Sequence, residues 1–238
     1  MRITVLDTET TGLVPGDVVE IAAVTLTAVG EEPTKWRVGN YFTALVRPSC
    51  PISFEAMAAH HLTSEMVADA PTRAELAGTS YFGLDNFAPV VAAHNAAFDR
   101  QFLPELADRR WLCTYRCALH LWPDAPSHSN QVLRYYLSLD VADIPADAGS
   151  TPHRALYDAW CTAKLLERML SPDGENRTVD ELLELSVKPV VLRECRFGKH
   201  RGRNWDQVPR DYLSWILKQD GMDADVLHTA RHHLGMLV

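Results

Sequence analysis

No uninterrupted apolar run in the 238 residues approaches the roughly 18 that a membrane-spanning helix needs, so no membrane partner is expected. Met1 and Arg2 lead directly into a strand-like segment, and no secretory leader is expected either. Cysteine is scarce and odd in number: Cys50, Cys113, Cys117, Cys161 and Cys195. The absence of any C-x-x-C pair argues against a zinc site and for free, buried thiols in a reducing cytoplasm. Positive charge is also in deficit. The chain carries 23 Lys and Arg against 31 Asp and Glu, a net charge of −8, which excludes a passive nucleic-acid coat protein. It does not exclude a nucleic-acid enzyme, because clustered acids hold metal ions and a local basic patch grips phosphate. Internal repeats and low-complexity segments are absent too.

What is present suits an ordinary globular protein, 47% hydrophobic and 23% charged. The length allows one sizeable α/β domain and a small appendage. The opening strand that starts at Ile3 and carries Asp7 and Glu9, Val18–Leu26 and the strand within Lys35–Arg47 read as an antiparallel meander, ended by Pro48 and Pro51. A short helix is predicted from Ser53 to His60, with Ser53 as N-cap, and a Gly-interrupted one from Ala74 to Asn86. Pro89–Asn95 is a compact strand followed by helix, Trp111–Thr114 another strand, and Asn130–Leu139 a helix with Val132, Leu133, Tyr136 and Leu137 inward. His153–Leu170 has the clearest 3.6-residue period, through Ala155, Leu156, Ala159, Ala163, Leu166 and Met169. Strands first and then alternating helices and strands predict a mixed α/β sheet. The expected division is a first domain over 1–170, a linker with a short helix over 171–188, and a small α+β domain over 189–238.

Three stretches carry chemistry. In Ile3-Thr4-Val5-Leu6-Asp7-Thr8-Glu9, Asp7 and Glu9 are two apart on a strand and point to one face. Converging carboxylates repel unless protons or a cation compensate, and a hard divalent ion with oxygen ligands is the natural compensator. Two solvated acids at a strand end are the plain alternative. Asp99 in His94-Asn95-Ala96-Ala97-Phe98-Asp99 sits where a strand gives way to a helix; as an isolated residue it would read as a cap. His153 and Asp158 are five apart, about 500° around a helix, so His153 belongs at or before the helix start and Asp158 inside it.

Together these stretches resemble the three motifs of the DEDDh family of 3′→5′ exonucleases: Asp7-x-Glu9 with Thr10-Thr11-Gly12, His94-Asn95-x-x-Phe98-Asp99, and His153-x-Ala155-x-x-Asp158. No catalytic position departs from the pattern. Leu45-Val46-Arg47-Pro48, Met57-Ala58-Ala59-His60 and Phe197-Gly198-Lys199-x-Arg201-Gly202 extend the likeness, toward members that digest DNA, over nearly the whole chain. The resemblance implies an RNase H-like fold, a mixed five-stranded sheet flanked by helices. It implies that Asp7, Glu9, Asp99 and Asp158 bind two Mg²⁺ ions, with Mn²⁺ as substitute, and that His153 is the general base. The expected substrate is DNA with a single-stranded or duplex 3′ end, and the expected context is repair or recombination. RNA is the rival substrate, since exoribonucleases share these motifs. A polymerase proofreading subunit and a catalytically silent nucleic-acid-binding module compete with the free-standing enzyme.

Thr10, Gly12, Leu13 and Val14 follow the first acids directly, where an apolar side chain can meet a terminal base; for Leu13, anchoring the turn in the core is the plain alternative. Resemblance adds His60, Leu62 and Asn95 as nucleic-acid contacts. In the tail, Arg193, Arg196, Lys199, Arg201 and Arg203 stand against Glu194 alone, interleaved with Gly198, Gly202 and Phe197. Of these, Arg196, Lys199, Arg201 and Arg203 are the expected phosphate contacts, a solvated basic turn being the alternative.

Overall fold

In the computed structural model, which describes all residues except 14–15, 31–34, 78–86, 149–150 and 238, the chain forms two compact units, Met1–Ser186 and Val187–Val238. Val14 and most of the expected Ala74–Asn86 helix, with Gly78 and Gly83, lie outside the described residues.

The first unit is built on a five-stranded sheet: β1 (Arg2–Thr10), β2 (Val18–Val29), β3 (Lys35–Leu45), β4 (Val90–Ala93) and β5 (Arg110–Cys113). Their order is β3-β2-β1-β4-β5. β1 pairs antiparallel with β2, and β2 with β3, whereas β4 runs parallel to both β1 and β5. This is the mixed sheet that the family resemblance implies.

Strand periodicity sorts the side chains into two cores. Ile3 and Val5 of β1 pack with Ala22, Val24 and Leu26 of β2 beneath helix α7 (Ala155–Leu170), whose Leu156, Ala159, Ala163 and Leu166 line the same cluster. Leu6, Ile21 and Val91 point the other way, against Phe102 at the end of α4 (Ala96–Phe102). Asp7 and Glu9 therefore continue the face that α7 covers, and Thr8 the face of α4.

The remaining helices of the first unit are α1 (Phe54–His60), α2 (Ser64–Val67), α3 (Arg73–Ala77), α5 (Thr114–Leu121), α6 (Asn130–Tyr136) and α8 (Val179–Val187). Ser53 caps α1 as expected, its hydroxyl accepting from the Ala56 amide. In α6 only Leu133 is fully buried; Tyr136, expected inward, is 48% exposed because the helix ends there.

The segment 171–188 is more than the expected linker. Val179 and Leu182 are buried in the large core, and the Ser186 hydroxyl accepts from the Cys113 amide at 2.8 Å. The second unit has its own core of Cys195, Trp205, Val208, Tyr212, Leu213, Ile216, Val226 and Ala230. Two helices build it, α9 (Arg210–Ile216) and α10 (Ala224–Leu234). The sequence reading misses α10, and the expected β content reduces, among the described residues, to one isolated bridge between Glu194 and Asn204.

The chain leaves α7 by a tight turn at Gly174, where an added Cβ would lie 1.9 Å from the Arg168 carbonyl oxygen. A backbone atom cannot yield as a side-chain end can, so overpacking costs about 1–3 kcal/mol. Gly174→Ala is expected to lower unfolding free energy by about that amount in a urea titration.

Candidate active site

Glu9 and Glu20 are direct cross-strand partners on β1 and β2, an arrangement that destabilises a sheet unless charge is compensated. Compensation comes from Arg154, whose guanidinium donates from Nε to Glu20 Oε2 at 3.0 Å and from Nη2 to Oε1 at 2.6 Å. Glu20, only 3% exposed, also accepts the Ala155 amide at 2.9 Å. It thereby caps the otherwise unpaired N-terminus of α7 from another strand. Neither residue stands out in the sequence, because the pair is 134 positions apart.

That clamp sets the chain just before α7. His153 has φ +63°, a left-handed conformation that is costly for a side-chain-bearing residue and concentrates at functional sites. Its amide donates to Asp158 Oδ2 at 2.6 Å, while Gln131 Nε2 donates to Oδ1 at 3.1 Å. Gln131 is a further residue that sequence reasoning misses; a glutamine on a short helix carries no motif signal. His153 thus lies outside the helix, as its spacing from Asp158 implies.

Asp99 is 3% exposed in the first turn of α4 and accepts the Thr8 hydroxyl at 2.8 Å. Asn95, with φ +70°, makes the turn from β4 into α4. His94 is fixed between Thr114 Oγ1 (3.0 Å) and the His128 carbonyl oxygen (2.8 Å). Burial holds its imidazole down to about 4, hence neutral.

These residues surround one cleft of about 490 Å³, lined by Asp7, Glu9, Asp99, Asp158, His153, Asn95 and Gln131, among others. The four acids behave as one electrostatic unit. Burial, and then repulsion from Asp99, Asp158 and Glu9, pushes Asp7 well above the usual carboxylate range. Burial and Asp158 raise Glu9 to about 8, and burial raises Asp99 to about 7 and Asp158 above its ordinary value. Ligand atoms of Glu9, His153 and Asp158 lie within 4.8 Å of one another. Hard oxygen donors that repel one another in a half-buried cleft fit a divalent cation.

A second cleft of about 480 Å³ shares Thr8, Glu9 and Phe98 with the first and continues past Thr10, Gly12, Leu13, Ala56, Ala59 and His60. Leu13 is 83% exposed there, so it does not anchor the turn in the core. His60 is a brace: Nδ1 accepts from the Leu62 amide at 3.0 Å, which leaves Nε2–H to donate to the Thr10 carbonyl at 3.1 Å. Leu62 itself is fully buried with Val19, Ile52 and Val67. Its side chain supports the wall from behind, contrary to the expected contact. Arg196, Lys199, Arg201 and Arg203 belong to the second unit.

Residues 4–166 match the exonuclease family. Over 234 residues the chain is 36% identical to exodeoxyribonuclease 10 of Escherichia coli (strain K12), covering 97% of each. It is 37% identical over 176 residues to a DNA polymerase III subunit epsilon-like protein of Rhodobacter capsulatus, covering 70% of this chain and 23% of that one. Among solved structures, exonuclease X in complex with 5′ overhanging duplex DNA superposes with a TM-score of 0.64 at 36% identity, covering 77% of this chain and 99% of that chain. A full-length 3′-exonuclease, at 17% identity and a TM-score of 0.54 over 71% of this chain and 60% of that one, shares the fold.

Carboxyls whose folded-state pKa is raised bind more protons folded than unfolded, so stability is lost as pH rises from the unfolded values near 4 toward the folded ones. For Glu9 and Asp99 that window closes at about 8 and about 7. In EDTA the melting temperature is expected to fall between pH 5 and pH 8, measured by calorimetry. Millimolar divalent cation should abolish most of that fall, and Asp7→Asn should reduce it.

Proposed function

The chain belongs to the exonuclease family, and from that premise we propose that it is a 3′→5′ exodeoxyribonuclease releasing 5′-mononucleotides, with a role in DNA repair or recombination. One observation carries the reading: Asp7, Glu9, Asp99 and Asp158 converge on a single cleft with His153 on its wall. The similarity to exodeoxyribonuclease 10, over nearly the full length of both chains, supports DNA as substrate. Five free cysteines support a reducing, cytoplasmic setting.

Asp7, Glu9, Asp99 and Asp158 hold two Mg²⁺ ions, with Mn²⁺ as substitute. When bound, such ions supply Lewis-acid stabilisation of phosphoryl charge and lower the pKa of water. The protein's own contribution is placement. Asp7 and Glu9 are fixed by strand register, Asp158 by the His153 amide and Gln131, and Asp99 by the Thr8 hydroxyl. His153, exposed and outside the helix, accepts the proton of the attacking water at its imidazole. Thr10, Gly12 and Leu13 hold the terminal nucleotide in the adjoining cleft, Leu13 against its base, and Asn95 contacts it from the turn before α4.

End-labelled DNA and RNA, single- and double-stranded, test the reading directly. Asp7→Asn is expected to lower cleavage by at least about 10³-fold while folding is kept; full activity in that variant, or in EDTA, would refute the metal-dependent reading. A preference for RNA would refute the DNA assignment. His153→Ala is expected to cut kcat by about 10²–10⁴-fold with metal affinity largely kept in calorimetric titration. Collapse of metal affinity would instead make His153 a ligand. Leu13→Ala should raise KM for DNA several-fold.

A further inference from the structure

We propose that the carboxy-terminal unit, Val187–Val238, is a grip for single-stranded DNA, built from a closed basic hairpin and an exposed tryptophan face.

Charge is segregated along the chain. Residues 187–238 contain nine Lys and Arg against six Asp and Glu, a net positive unit in a protein of net charge −8. Five of the nine lie between Arg193 and Arg203. That segment is closed on itself by three backbone hydrogen bonds: Cys195 N–H to the Arg203 carbonyl and Gly202 N–H to the Cys195 carbonyl, both 2.8 Å, and Trp205 N–H to the Arg193 carbonyl, 3.1 Å. The hairpin therefore presents Arg193, Arg196, Lys199, Arg201 and Arg203 together, all of them exposed.

The cations are also uncommitted. Among the described residues, Arg193, Arg196, Arg201 and Arg203 enter no ion pair and no side-chain hydrogen bond, whereas Arg210, in the same unit, is spent on the His233 and Leu234 carbonyls at the end of α10. Unpaired guanidinium groups on a closed turn repel one another, and an anionic polymer removes that cost.

The hairpin is held rigidly against aromatic rings. Gly198 has φ +60°, and a Cβ there would lie 2.3 Å from Tyr212 Oη, so only glycine lets the turn seat on that phenol. Lys199 Nζ lies 5.1 Å from the centre of the Tyr212 ring. Trp215 stacks on Tyr212 at 5.1 Å and 21° while remaining 45% exposed. A basic turn and a half-exposed indole joined through the Tyr212 ring, which Lys199 and Trp215 share, match the two needs of a flexible polyanion with unpaired bases: phosphate neutralisation and a stacking platform. An acidic peptide would use the cations and leave the indole idle.

This inference rests on the exonuclease reading only for the identity of the nucleic acid. The full-length protein in EDTA is titrated into 5′-fluorescein oligo(dT), with anisotropy followed across salt concentrations. Arg196→Ser/Arg201→Ser/Arg203→Ser, which removes no intramolecular bond, is expected to weaken binding by at least about tenfold. The slope of log affinity against log salt should become shallower by roughly 0.7 for each phosphate lost. Trp215→Ala should weaken binding about fivefold or more with the slope kept, and Trp215→Phe should restore most of it. Unchanged affinity and slope in the triple variant overturn the proposal, as does competition by poly-glutamate at a matched charge concentration as effective as unlabelled oligo(dT). Digestion of the same oligonucleotide in Mg²⁺ by the unaltered protein is scored separately. Digestion with hairpin-independent binding refutes the grip alone, and hairpin-dependent binding without digestion refutes the exonuclease reading alone.

Discussion

Carboxylate repulsion at the carboxyl end of β1 is the constraint that the first unit is arranged around. Asp99 and Asp158 raise the cost of ionising both Asp7 and Glu9, Glu9 raises that of Asp7, and Glu20 adds to both from the neighbouring strand. A sheet end with this much like charge survives because each acid has a different compensator. Glu20 takes Arg154 and the free amide of α7, Asp158 takes the His153 amide and Gln131, and Asp99 takes a hydroxyl. Asp7 is left to protons or to a cation, and Glu9 has only the attraction of Arg154 against three acids, which is the condition a metal site requires.

The same compensators do the positioning. Because Glu20 holds both Arg154 and Ala155, the register of α7 against β2 and the strained turn at His153 are set by one carboxylate. α7 cannot slide along the sheet without breaking a half-buried, bidentate ion pair, a change that is costly when the buried Glu20 is left alone. A residue with no expected contact to substrate thus fixes both Asp158 and the backbone of His153 beside it.

How much of this is legible in the sequence depends on whether the signal is local. The period-2 placement of Asp7 and Glu9, the break at β4 into α4 that carries Asp99, and the position of His153 just outside its helix are all local, and the structure brings these residues to one cleft. The mixed sheet follows from the element order and the family resemblance. The Glu20–Arg154 pair and the Gln131 contact are long-range, and a single sequence offers no pattern for them. Leu62 illustrates the opposite error: a residue beside a functional segment reads as functional until its burial is seen. The helix α10 is missed because its sequence, Ala224–Leu234, mixes histidines, Thr229 and Arg231 with few apolar residues, so its stripe is narrow; packing of Val226 and Ala230 on the second core forms it.

The turn after Glu9 leads from a firmly bonded backbone to an exposed leucine. The backbone around it is tied down: Thr11 N–H bonds the Asp17 carbonyl, Ser53 N–H bonds the Thr11 carbonyl, and His60 bonds the Thr10 carbonyl. The Thr10 hydroxyl closes the turn on the Gly12 carbonyl at 2.8 Å. Leu13, next after these bonded residues, is 83% exposed in a cleft that shares Glu9 with the acid cluster. The bonds at Thr10, Thr11 and Gly12 hold the backbone that leads from the acids to Leu13. On the proposed reading, a base resting on Leu13 would have its phosphodiester set against Asp7 and Glu9 by that bonded segment.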